Sequence, residues 1–73
     1  MKRSCIYAQV MVEMYMKGID SHTLSRRTGL SYPTLRRKLR GDGAIRLEEA
    51  LKIRLALESD LPLEQLFARR EGA

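Results

Sequence analysis

Asp20-Ser21-His22-Thr23-Leu24-Ser25-Arg26-Arg27-Thr28-Gly29-Leu30-Ser31-Tyr32-Pro33-Thr34-Leu35-Arg36-Arg37-Lys38-Leu39-Arg40-Gly41 is the stretch that decides the fold. Asp20 is a good N-cap, because its short carboxylate can accept from the free N–H groups of a first helical turn, and it predicts a short helix over Ser21–Thr28. Leu24 and Thr28 lie four residues apart and share one face of it. Gly29 stops the helix, since a residue without Cβ adopts the left-handed backbone of a helix end at no steric cost. After Leu30, Ser31 opens a second helix over Tyr32–Arg40, with Pro33 in the first turn, where its missing N–H is harmless. Pro33 also disfavours the α region at Tyr32, so the cap is either Ser31 or Tyr32. Helices joined by so short a turn must cross steeply. Ser25 is small where a close approach would exclude a long side chain, and Leu24, Leu30, Leu35 and Leu39 fall where they would anchor both helices on one core. This is a helix-turn-helix arrangement.

Upstream, Ser4 is the expected cap of a first helix running to about Lys17, with Gly18 as the left-handed residue after it. Ile6, Val10 and Met14 recur at i, i+4 and i+8, but Ile6, Ala8, Val10, Val12, Met14 and Met16 also alternate as a strand would. The abundance of Met, Ala, Gln, Glu and Lys favours the helix. Downstream, Gly41-Asp42-Gly43 reads as a turn. A fourth helix follows from about Leu47 to Leu57, with Leu47, Ala50, Leu51, Ile53 (or Arg54) and Leu57 at helical spacing and Glu48 and Glu49 at its positive N-terminal end. Ser59–Pro62 is a loop, Leu63–Phe67 a last helical turn whose Leu66 and Phe67 close the core, and Arg69–Ala73 should fray. The expectation is an all-α domain of four to five helices, spanning residues 1–73 as a single unit with its core within about 5–68.

The 73 residues, 44% apolar and 32% charged, fit one small domain. Cys5 is the only cysteine and His22 the only histidine, which excludes an intramolecular disulfide and an ordinary structural zinc site. A reducing, cytoplasmic setting is expected, Cys5 reading as a small buried hydrophobe. The longest uncharged run, Ser4–Val12, is too short to span a bilayer and is no convincing signal peptide. With one His, one Cys and no paired carboxylates in a metal-like or glycine-rich setting, no catalytic set emerges, and neither a cofactor, a metal nor a small-molecule substrate is expected.

The chain carries a net charge of +5, unevenly divided: residues 1–46 hold ten basic groups against three acidic, residues 47–73 four against six. A basic half with most of its arginines between Arg26 and Arg46 suits a polyanion partner, although a plain solvated face has the same composition. At about 100° per residue, with Pro33 as zero, Arg36, Arg37 and Arg40 fall at roughly 300°, roughly 40° and roughly 340°, against roughly 200° and roughly 240° for Leu35 and Leu39. The arginines therefore face away from the core. Such a side chain can span the O6 and N7 of guanine in a DNA major groove, and Arg37 is the preferred reader.

The run Lys17-Gly18-Ile19-Asp20, then Leu24-Ser25-Arg26-Arg27-Thr28-Gly29-Leu30-Ser31, Thr34-Leu35, Leu39 and Gly41 resembles the phage repressor and Cro group, the Xre-type helix-turn-helix family. The similarity continues through Leu47-Glu48-Glu49-Ala50-Leu51-Lys52-Ile53, Ala56-Leu57 and Leu63-Glu64-Gln65-Leu66-Phe67, which resemble the family's fourth and fifth helices. The resemblance implies a lambda-repressor-like bundle that binds double-stranded DNA as a transcription regulator, an antitoxin or adaptor being the alternative. It places Tyr32, Pro33, Thr34, Arg36 and Arg37 beside bases, with Lys38 and Arg40 on phosphate. Ser21, His22, Thr23, Arg26 and Arg46 are further phosphate candidates, and Lys2 and Arg3 could form a basic arm. Ser21 stands where many members carry a phosphate-binding Gln, the Glu58–Leu61 loop looks about two residues longer than usual, and the first helix is unusually apolar. From that last departure a homodimer is expected, with Val12, Tyr15 and Met16 at its interface, since they lie off the core stripe and would otherwise leave an apolar patch in water.

Overall fold

The computed structural model describes residues 6–69, and among them the chain forms five helices in a compact domain: α1 (Ala8–Lys17), α2 (Ser21–Thr28), α3 (Tyr32–Leu39), α4 (Leu47–Leu57) and α5 (Leu63–Leu66). Ser4, Cys5, Lys2 and Arg3, and the tail beyond Arg69, lie outside the described residues.

The ends of α2 and α3 follow the local signals. Asp20 accepts from the Thr23 N–H at 2.8 Å, and Gly29 sits at φ +80° with its N–H on the Ser25 carbonyl. Ser31 is the cap of α3: its hydroxyl accepts from the Thr34 N–H, which leaves Tyr32 as the first helical residue in spite of Pro33. The turn itself is tied by two hydroxyls. Ser25 donates to the Leu30 carbonyl at 2.5 Å, and buried Thr28 donates to the Leu24 carbonyl while accepting from the Leu30 N–H. Both residues therefore do more than stay small.

The core is built from Tyr7, Val10, Ile19, Leu24, Leu35, Leu39, Ile53, Ala56, Leu57 and Leu66, with Leu30 and Phe67 packed against it. Helix α1 begins later than Ser4 would have it. The Ile6 N–H is taken by the Leu39 carbonyl at 2.9 Å and Tyr7, itself extended, forms an isolated antiparallel bridge with Arg69, so the helix starts only at Ala8. The same bridge pins Arg69, where fraying was expected. The Phe67 ring meets Tyr7 edge to face at 5.4 Å. At the far end of α3, which stops at Leu39 with Arg40 as cap, Gly41 has φ +95°, and a Cβ there would come within 3.1 Å of the Ile6 side chain.

Helix α4 differs most from its reading. It buries Ala50, Ile53, Ala56 and Leu57, while Leu47, Leu51 and Leu55 remain 67%, 47% and 78% exposed. The expected stripe merged two faces: Ile53 lies about 200° around the helix from Leu51, so packing of one face turns the other to solvent.

Truncating a core leucine tests this assignment. Leu24→Ala should cost about 3 to 5 kcal/mol, as much as a domain this small has to lose, and leave the chain largely unfolded by circular dichroism at 25 °C. Leu55→Ala in dilute solution should shift stability by no more than about 0.5 kcal/mol.

Candidate nucleic-acid interface

Helix α3 seats Leu35 and Leu39 in the core and turns its other face outward, where Tyr32, Pro33, Arg36, Arg37 and Arg40 line one shallow groove. Three cations thus share a single solvent face. The Arg37 guanidinium is exposed and makes no hydrogen bond or ion pair with another described residue. Arg40 makes only a loose contact with Asp42, 3.5 Å between exposed groups. Thr34 is held locally, its hydroxyl accepting from Ser31.

Arg36 is positioned rather than free. Its Nη1 donates to the Tyr32 hydroxyl at 2.8 Å, and the guanidinium lies 5.6 Å from the centre of that ring. Tyr32 is braced in turn by His22, whose ring stacks on it at 3.9 Å and within 2° of parallel. The first turns of α2 and α3 are thereby joined, and the orientation of Arg36 is tied to α2 through Tyr32. Neither composition nor spacing signals this pair, because it depends on the angle at which α2 and α3 cross. His22 is therefore a brace in this structure, whatever else it touches.

The other candidate phosphate contacts divide. Ser21 and Thr23 sit in the first turn of α2 beside the Asp20 cap, and Arg26 is exposed on the same helix. Arg46 is exposed and pairs with Glu48 at only 4.0 Å. Lys38 is engaged within the protein. Its ammonium bonds both Glu49 carboxylate oxygens, at 2.7 and 2.8 Å, in a half-buried pair linking α3 to α4, and a cation so neutralised is a poor phosphate ligand. Glu49 also accepts from the Arg46 N–H at 2.9 Å, closing the start of α4. These two contacts, the Lys38 bond first, hold the Glu49 carboxyl below its ordinary value of 4.5; Asp20 is likewise lowered, chiefly by the Thr23 N–H. Arg27, although exposed, is held to α4, its Nη1 donating to the Ala56 carbonyl at 3.0 Å. Among the described residues no cluster of His, Cys, Asp and Glu could hold a metal, and no helix is long and apolar enough to cross a membrane. Val12, Tyr15 and Met16 are exposed on α1, at 43%, 87% and 75%.

The Lys38–Glu49 contact makes stability depend on acid. A carboxyl held below its ordinary value contributes stability that is complete above that value and is lost as the pH falls through the lowered one. Denaturant titrations from about pH 6 to about pH 3 should show the wild type losing stability below about pH 4.5, and Glu49→Gln, weaker at neutral pH by about 1 kcal/mol, losing less. The stacked pair has its own signature in proton NMR: the His22 ring resonances should lie upfield of a free histidine's, move back in Tyr32→Ala, and stay in place in Arg36→Ala.

Comparison with protein-family models, curated proteins and solved structures finds no match to this chain. The functional reading is carried by its residues and their geometry.

Proposed function

We propose that this chain is a sequence-specific regulator of the phage repressor and Cro type that binds double-stranded DNA by laying α3 in the major groove. The observation that carries the reading is the arginine face of α3, a helix held by a tied turn on a bracing helix, with Arg37 exposed on it and without a partner among the described residues. An eight-residue helix with one face locked in the core and the other bearing planar, fork-shaped donors fits what a major groove admits and what guanine accepts.

Tyr32, Pro33 and Thr34 at the start of α3 approach base edges beside Arg37. The ring of Tyr32 and the apolar surface of Pro33 suit thymine methyls, and Arg36 enters already aimed by Tyr32. Arg26, Arg40 and Arg46 supply the phosphate contacts, with Ser21 and Thr23 donating at the start of α2. Lys38 supports α3 from behind. Two copies would occupy half-sites about one helical turn apart.

Substitutions separate reading from positioning. Arg37→Ala should cost about 1 to 3 kcal/mol of specific binding and relax base preference at one position per half-site, and Arg37→Lys should recover only part of it, because an ammonium lacks the planar fork. Arg26→Ala should weaken all sequences alike and make the slope of log affinity against log salt about one unit shallower per site. Binding sites selected from a random DNA pool supply the test sequence. No selection of any sequence, together with a flat salt titration, overturns the proposal in favour of an acidic protein partner for this surface.

A further inference from the structure

Arg36 keeps a pair of donors in reserve. The Tyr32 hydroxyl takes Nη1 at 2.8 Å, while Nε and Nη2, whose N–H bonds run parallel along one edge of the planar group, meet no other described residue. That edge matches the O6 and N7 of guanine. Arg36 and Arg37 lie about 100° apart around α3, so their forks address different base pairs. On the DNA reading proposed above, we infer that Arg36 reads a second guanine, and that His22 of α2, without touching a base, sets how strictly that guanine is read.

A long side chain that is free to turn presents its fork in many places and settles on several acceptors, whereas one already fixed rejects those out of line. Fixing Arg36 requires fixing Tyr32, because a hydroxyl on a swinging ring would carry the guanidinium with it. The His22 ring supplies that restraint, lying flat on Tyr32 at 3.9 Å and within 2° of parallel. Both rings stand on capped first turns, α2 closed by Asp20 on the Thr23 N–H and α3 by Ser31 on the Thr34 N–H. Arg36 is accordingly half-buried, and Arg37, one residue on, is exposed and outside the chain of contacts. The two arginines should therefore answer differently to changes on α2.

The geometry of the stack separates this role from a phosphate contact. Two parallel rings meet through their faces, and the imidazole nitrogens lie in the ring plane, clear of Tyr32. Neither nitrogen takes part in the brace, and His22 makes no hydrogen bond with another described residue. A phosphate contact needs one of those N–H groups. Phenylalanine keeps the flat face and has no N–H, so it preserves the brace and removes any phosphate bond.

Binding of the full chain to its selected site, and to the same site with each guanine of a half-site exchanged in turn, gives a preference ratio at each position. The ratio is internal to each variant, so partial unfolding or a lost phosphate contact, which scale all sequences alike, leave it unmoved. Arg36→Ala should abolish the preference at one position, different from the one lost in Arg37→Ala. Tyr32→Phe, which removes the hydroxyl and keeps the ring, and His22→Ala should each lower the preference there about three- to tenfold, the effect of freeing one long side chain. The Arg37 position should stay within about twofold in both, and His22→Phe should keep the Arg36 position within about twofold of the wild type. Combined with Arg36→Ala, His22→Ala should lower that preference no further. A wild type without preference at any position removes the DNA reading itself, and this inference with it. A selective wild type overturns the inference alone if Arg36→Ala changes no base preference, if His22→Ala leaves the Arg36 position unchanged, or if His22→Phe is as relaxed there as His22→Ala.

Discussion

The carbonyls at the C-terminal end of α4 have no helical N–H to meet them, and two cations from elsewhere in the chain supply the missing donors. Lys17, the last residue of α1, donates to the Leu57 and Glu58 carbonyls at 2.6 and 3.1 Å, and Arg27 of α2 donates to the Ala56 carbonyl. Positive charge is favoured at this end of a helix dipole. Here the same contacts fasten three helices at one point. They also support Glu58, which takes the left-handed backbone at φ +53° in a place usually given to glycine. Because α3 is attached to the domain through α2 and the Lys38–Glu49 pair, its placement depends on this junction.

The junction changes how the basic charge is understood. Lys17, Arg27, Lys38 and Arg54 all have protein acceptors, Arg54 donating to the Leu61 carbonyl of the loop after α4 at 2.6 Å. Arg26, Arg37 and Lys52 are left exposed without a partner among the described residues, joined by Arg40 and Arg46 with their loose contacts to Asp42 and Glu48. The positive charge offered to a partner is thus smaller than the composition implies, and it is drawn largely from α2, α3 and the residue before α4. Residues four apart on one helix, or one apart in sequence as Arg26 and Arg27 are, can belong to different sets.

The α2–turn–α3 segment was legible because its signals are local. Asp20, Gly29, Ser31 and Pro33 each act on backbone groups within a turn of themselves, so residue type alone predicts the helix ends. The seating of Leu24, Leu35 and Leu39 was legible for a related reason, as helical spacing assigns a face. What could not be read depends on partners distant in the chain. Nothing near Lys38 announces Glu49, nothing near His22 announces Tyr32, and leucines on both sides of α4 give no sign of which side the domain will cover. The start of α1 belongs to the same class, since Ile6 and Tyr7 are held outside the helix by Leu39 and Arg69. The outward face of α3 was thus foreseen, and the restraints that aim its side chains were not.

The bond from the Ile6 N–H to the Leu39 carbonyl bears on how far the domain can be divided. One of the free acceptors at the end of α3 is satisfied from outside the two-helix segment, by a residue more than thirty positions upstream, and Gly41 is the gap through which that residue reaches it. A fragment spanning only Asp20 to Gly41 would keep every cap and turn residue and still lose this closure, along with Arg27's acceptor on α4. Its helices, each of eight residues, are too short to hold in water by themselves. The segment that looks most like a portable motif in the sequence is therefore not a module, and a unit that presents α3 has to include both Ile6 and α4.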